Sequence, residues 1–190
     1  MLDLLPHWPV DALSVINAYV LAEGQSLPDW PLSGLFDAAA IIRAFYLHAD
    51  PEQGLQTLAT LTPRTFEKLI ASLYSKMGYN VELTPSNSDG GKDIVASRVT
   101  DGSSQVLYVE CKHYNGPVGV EVLRRLLGVV ANARVTGGVL VTNSRLTRGA
   151  RNLIADDPRL HAIESPELLR ELSERFGRSW PVLVDRIVGA

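Results

Sequence analysis

Asp93, Glu110 and Lys112 are the residues whose spacing points most directly to chemistry. Asp101-Gly102 is a strong two-residue turn signal between two apolar runs. A hairpin closed by that turn pairs residues whose numbers sum to 203: Thr100 with Ser103, Arg98 with Gln105 and, further along, Asp93 with Glu110. Side chains directly opposite in such a ladder have Cβ atoms about 4.5–5.5 Å apart. Lys112 lies two residues beyond Glu110 and so shares its face. Two carboxylates and an ammonium are therefore expected to converge on one patch of sheet.

That set suits a hard divalent cation. Two carboxylates, the backbone carbonyl of Cys111 and waters can complete the octahedral oxygen shell that Mg²⁺ prefers. A cation held there polarises a phosphodiester, and a neighbouring lysine orients or deprotonates the attacking water or stabilises developing charge. Burial and a metal would favour a lowered lysine pKa. The bland alternative is a buried Asp–Lys–Glu salt-bridge cluster. The strands are apolar on both faces, with Val95, Val106 and Tyr108 on the charged side and Ile94, Ala96, Leu107, Val109 and Cys111 on the other. Central strands have that character, and charges within them need partners. A bulge would shift the register locally.

The elements that position this patch are legible from punctuation and periodicity. Thr62-Pro63 starts a helix with a good N-cap and a proline at N1. Its apolar face is Phe66, Leu69, Ile70, Leu73, Tyr74 and Met77, and Gly78 ends it. Strands are expected near 79–84, 92–99 and 105–112, then a helix at 118–134, a strand at 138–142, a basic helix at 146–155, a strand at 160–163 and two helical stretches from Pro166 and Trp180. This order implies an α/β domain with a central mixed sheet flanked by helices. Residues 1–60 read as an N-terminal helical accessory segment, with helices in 11–21 and 35–47 joined by a Pro/Gly-rich connection from Gly24 to Gly34. The boundary with residues 61–190 is placed there.

Charge follows the same division. Net charge is −3, yet residues 1–63 carry seven acids and one base, residues 64–151 twelve bases and seven acids, and residues 152–190 five bases and seven acids. A basic middle between acidic ends points to a localised polyanion site. The single cysteine excludes an internal disulfide. The opening residues lack a basic signal-peptide start, and no apolar run approaches the ~18 residues of a membrane span, so a cytoplasmic protein without a membrane partner is expected. His7, His48 and His161 share no spacing that suits zinc.

Taken together, Phe66-Glu67, Gly78-Tyr79, Asp89-Gly90-Gly91-Lys92-Asp93-Ile94, Glu110-Cys111-Lys112 and Gly137-Gly138-Val139-Leu140-Val141-Thr142 resemble the Mrr-like restriction endonuclease domain of the PD-(D/E)xK nuclease superfamily. The resemblance spans about residues 62–172. It implies a restriction-endonuclease-like core and Mg²⁺-dependent DNA cleavage, with Mn²⁺ as a possible substitute. Under it Asp93, Glu110 and Lys112 are the catalytic core, Asp93, Glu110 and the Cys111 carbonyl hold the metal, and Glu67 is the helix glutamate that often completes the site. The family's strand motif is often Gln-x-Lys; Glu110-Cys111-Lys112 is the more general superfamily form.

Further expectations are weaker. Arg145, Arg148 and Arg151 would share one side of a helix begun by Asn143-Ser144 and contact phosphates, and His113 would line the cleft or serve as an ordinary strand-end residue. A solvated helix face explains the arginines equally well. Asp89 reads as a turn residue, and Arg124 and Arg125 as undecided. The expected partner is duplex DNA, with a homodimer favoured because one site cuts one strand. Restriction or phage defence is the leading role; the alternatives are DNA repair or junction resolution, an antibacterial toxin, and a catalytically silent DNA-binding or assembly module.

Overall fold

Gly102 sits at φ +78°, a left-handed backbone that glycine adopts without strain, and the turn it belongs to fixes the register of the central hairpin. The computed structural model describes residues 8–42, 51–85, 91–100, 102–133 and 135–189. Within these, β1 (Asn80–Leu83), β2 (Ile94–Thr100), β3 (Ser103–Lys112), β4 (Gly137–Thr142) and β5 (Leu160–Ile163) form one sheet in sequence order. The β1–β2 and β2–β3 pairs are antiparallel, and β3–β4 and β4–β5 are parallel. The hairpin ladder runs from Thr100↔Ser103 to Ile94↔Val109, the register expected from the turn.

Helices cover both faces of the sheet. On one side α4 (Pro63–Lys76) and α7 (Ser165–Phe176) join α3 (Pro51–Thr60), a short 3₁₀ helix (Trp180–Leu183) and α8 (Val184–Ile187). Their core includes Phe66, Leu73, Leu168 and Trp180, packed with Ile94, Val109 and Val141 from the strands. On the other side α5 (Val120–Ala133) and α6 (Arg148–Asp156) pack Leu123, Leu126 and Ala150 against Leu140 and Leu160. β4 is buried throughout, and its side chains enter the two cores alternately. Gly138 brings α5 close: a Cβ there would meet the Leu126 Cγ at 2.8 Å.

Two differences from the sequence reading have local causes. The stretch expected to be a connection as far as Gly34 is already helical from Asp29, because Pro31 falls in the first turn of α2 (Asp29–Ile42), where its missing N–H costs no hydrogen bond. The expected run to residue 47 passes outside the described residues after Ile42. α2 packs on α1 (Pro9–Glu23) around Ala12, Ile16, Ala39 and Ile42. α3 lies inside the segment read as accessory, yet its Leu58 is buried in the core beneath the sheet. A Cβ on Gly54 would meet the Leu169 Cδ2 at 2.8 Å, so α3 also sits tightly on α7.

Leu58→Ala is expected to lower unfolding free energy by ~2–5 kcal/mol, the usual cost of an Ala truncation in a filled core. Exposed Val15→Ala should change it by less than ~0.5 kcal/mol. Urea unfolding monitored by Trp fluorescence measures both. Equal midpoints for Leu58→Ala and the parent would show that α3 is not part of this core.

Candidate functional site

β2 begins at Ile94, immediately after Asp93, and the way the chain enters it builds the site. The Asp93 N–H donates to the Val109 carbonyl at 2.8 Å, although Val109 already faces Ile94 in the ladder. Two residues thus share one partner, as at a β-bulge. Asp93 is therefore not a regular ladder partner of Glu110, and its carboxylate instead enters the gap beside β3. Its Oδ2 accepts the Cys111 N–H at 2.7 Å, standing in for the missing strand. In an extended strand the N–H and C=O of one residue point to the same edge, so the Cys111 carbonyl faces that gap too. Thr84 secures the end of β1 there, its Oγ1 donating to the Lys92 and Asp93 carbonyls at 3.0 Å each.

Glu110 and Lys112 follow on β3. Glu110 is only 4% exposed. Its Oε1 takes the Lys112 Nζ at 2.7 Å, and the Arg125 Nη2 on α5 stands 4.0 Å from the same oxygen. Burial lowers the Lys112 pKa, but the hydrogen bond and charge of Glu110, with Asp93 adding to them, outweigh it and raise the value overall. The ammonium is stabilised by the carboxylate it touches. Burial also pushes the Cys111 thiol up, reinforced by Asp93, Glu67 and Glu110 in that order, so it is an inert core residue ringed by the acids of the site. Lys92 caps the same region with its Nζ 4.4 Å from the Tyr108 ring centroid.

Glu67 has a different commitment. Its Oε2 accepts from Arg64 at 2.6 Å, and Arg64 also donates to the Thr84 carbonyl at 3.1 Å. Glu67 therefore braces α4 against the end of β1. Among the described residues no three His, Cys, Asp or Glu side chains cluster closely enough to hold a metal ion. The donors that do fit a hard cation are the two carboxylates, Asp93 and Glu110, and the Cys111 carbonyl. Among the described residues Asp93 Oδ1 and Glu110 Oε2 make no hydrogen bond, which leaves one oxygen on each acid for coordination.

The secondary candidates separate cleanly. His113 does not line the cleft: its Nε2 lies 2.7 Å from the Leu58 carbonyl and its ring packs on Phe66, so it anchors α3 to the end of β3. α6 begins at Arg148 with Thr147 as its N-cap, so Arg145 is in the preceding loop and the three arginines do not share a helix face. Arg151 is spent on Glu164, with Nε and Nη2 at 3.1 and 2.7 Å from its two oxygens. Arg145 and Arg148 are exposed. Asp89, His7 and His48 lie outside the described residues.

Sequence reasoning missed Arg64, Glu164 and the orientation of Arg125. Glu164 joins three segments, accepting the Leu146 N–H at 2.8 Å while pairing with Arg151. Only tertiary packing creates that contact. Arg125 had a local signal: Val122, Arg125 and Val129 recur at i, i+3 and i+7, on the margin of the α5 face that packs on the sheet.

A family model described as restriction endonuclease, for the Mrr catalytic domain, matches residues 58–172. The type IV methyl-directed restriction enzyme EcoKMrr of Escherichia coli K12 is 28% identical over 106 residues, covering 53% of this chain and 34% of that protein. Protein y4cE of Sinorhizobium fredii is 29% identical over 111 residues, covering 53% of this chain and 28% of that one. This chain thus spans about a third of the length of the curated relatives it matches. The solved structure of the DNA modification-dependent restriction endonuclease AspBHI superposes with a TM-score of 0.60 at 24% identity, over 77% of this chain and 41% of that one, which shows the shared restriction-endonuclease-like fold.

Glu164→Ala should cost about 1–2 kcal/mol, because the Leu146 N–H and Arg151 both lose their acceptor. Glu164→Gln keeps an acceptor and should cost less. The Arg151 hydrogen bond holds the Glu164 carboxyl below its usual range. The ion pair's contribution is therefore complete above the unfolded value of about 4.3 and is lost as pH falls through the lower folded value. Melting temperatures across the acid range should show the parent and Glu164→Gln converging at low pH; a constant difference would contradict the ion-pair assignment.

Proposed function

The chain belongs to the restriction endonuclease family through a domain of the Mrr catalytic type, and from that membership we propose that it is a divalent-metal-dependent endonuclease that cuts duplex DNA in restriction, as a defence against phage. The observation that supports the reading most is the join of β2 and β3, where the Asp93 carboxylate accepts the Cys111 N–H and the neighbouring Glu110 on β3 pairs with Lys112.

Asp93 and Glu110, with the Cys111 carbonyl, would hold the metal. Mg²⁺ is the proposed ion, with Mn²⁺ able to replace it, since two carboxylates and a carbonyl leave positions for water and phosphate oxygens. When bound, it supplies charge to offset that developing on the phosphate and lowers the pKa of a coordinated water. The chain's own contribution is positional. The Cys111 N–H fixes the Asp93 carboxylate at 2.7 Å, so one of its oxygens is pre-aimed. Lys112, held as an ammonium by Glu110, hydrogen-bonds the attacking water or a phosphate oxygen as a cation. Glu67, paired through one oxygen with Arg64, is assigned to holding α4 and β1 in place. Arg145 and Arg148, both exposed, are proposed as outlying phosphate contacts. A dimer would let two such sites cut opposite strands.

Plasmid nicking and linearisation with Mg²⁺, with Mn²⁺ and with EDTA tests the reading. Asp93→Ala, Glu110→Gln and Lys112→Ala are each expected to reduce cleavage by about a hundredfold or more while thermal unfolding stays cooperative. EDTA should abolish it in the parent. Equal products from the parent and Asp93→Ala, or cleavage that survives EDTA, would refute the proposal.

A further inference from the structure

Arg125 is a charge beside the proposed chemistry that the proposed mechanism does not use. It lies on α5 beside Arg124, and the two have opposite commitments. Arg124 donates to Glu121 at 2.6 Å on the outer surface of the same helix. Arg125 points over the sheet toward Glu110, stopping 4.0 Å from an oxygen already occupied by Lys112 at 2.7 Å. That separation is too long for a hydrogen bond. Among the described residues its guanidinium makes none, and its side chain is 57% exposed against 5% for Glu110. Among the described residues the head group therefore faces the Glu110 carboxylate with no hydrogen-bond acceptor taken up.

Its stem is supported. Gly91, at φ +66°, lies directly against it: a Cβ on that glycine would be 3.5 Å from the Arg125 Cγ and 3.8 Å from the Cδ. Val129, one turn along α5, meets the same point at 3.1 Å. The segment entering the bulge thus rests on the arginine stem, so its aim is set by the backbone that places Asp93. A guanidinium half-exposed beside a buried carboxylate, its donors arranged in a planar fork, suits a phosphodiester oxygen.

We propose that Arg125 is a substrate clamp that grips a DNA phosphate at the mouth of the Asp93–Glu110–Lys112 site. The inference rests on the nuclease reading and adds the contact that holds the strand against it. Without bound DNA, the pull of Glu110 stores the guanidinium near its target. With DNA, the phosphate takes it as a charge-assisted hydrogen-bond acceptor.

The test is binding of a fluorescein-labelled duplex by the full chain in EDTA, followed by anisotropy across several salt concentrations, for the parent and for Arg125→Ala, Arg125→Gln, Arg125→Lys and Arg124→Ala. Thermal melts check folding. Arg125→Ala and Arg125→Gln should weaken binding by about tenfold and reduce the slope of log affinity against log salt by about one. Arg125→Lys should restore the slope, because a point charge replaces the lost cation, and Arg124→Ala should match the parent. An unchanged slope and affinity in folded Arg125→Gln overturns the clamp. The nuclease reading fails separately, if the parent shows no Mg²⁺-dependent plasmid cleavage. If the parent cuts, Asp93→Ala does not, and Arg125→Gln binds like the parent, the clamp alone is wrong.

Discussion

A carboxylate buried in a central strand is the constraint around which this structure is arranged. Glu110 is 4% exposed between two apolar layers. An isolated charge there would cost several kcal/mol after relaxation. Lys112 neutralises it at contact distance, and Arg125 adds a second, looser positive charge. Those partners require a strand long enough to carry Lys112 past the end of β2, and a helix close enough to bring Arg125 across the sheet. Gly138 permits that close approach of α5. The same burial that makes Glu110 costly also makes it chemically useful, because a cation placed beside it acts in a medium with little water to screen it.

The bulge at Asp93 complements this arrangement. Had β2 continued in register, the Cys111 N–H and carbonyl would both be covered by a neighbouring strand. The ladder ends, the Asp93 side chain takes the N–H, and the carbonyl is left facing the gap. One local irregularity thus exposes a backbone acceptor and aims a carboxylate beside it. Around this basic region the rest of the chain is acidic. The α1–α2 hairpin carries Asp11, Glu23, Asp29 and Asp37 with no lysine or arginine between residues 8 and 42, which suits it poorly to contact DNA directly.

Much of the site was legible because strand alternation and turn chemistry are local. Asp101-Gly102 set the register, and the Glu110–Lys112 spacing put both residues on one face. The fold class followed from element order, since a hairpin followed by two helix-linked strands gives a mixed sheet. What escaped depended on contacts between distant segments. The bulge at Asp93, allowed for in the sequence, shifts a hydrogen bond by one residue at a position that strand alternation alone does not fix. His113 read as a cleft residue because its neighbour Lys112 is one, but its partner, the Leu58 carbonyl, lies in a helix read as accessory. Arg151 read as a free phosphate contact because Glu164 is thirteen residues away.

The central claim is that Asp93 and Glu110 together hold a divalent cation at the open edge of β3. Mn²⁺ binding followed by the loss of the free-ion electron paramagnetic resonance signal measures it without relying on catalysis. The parent should take up Mn²⁺ in the absence of DNA, and Asp93→Asn and Glu110→Gln, both folded, should each lose that uptake. Undiminished binding in both variants would contradict the account.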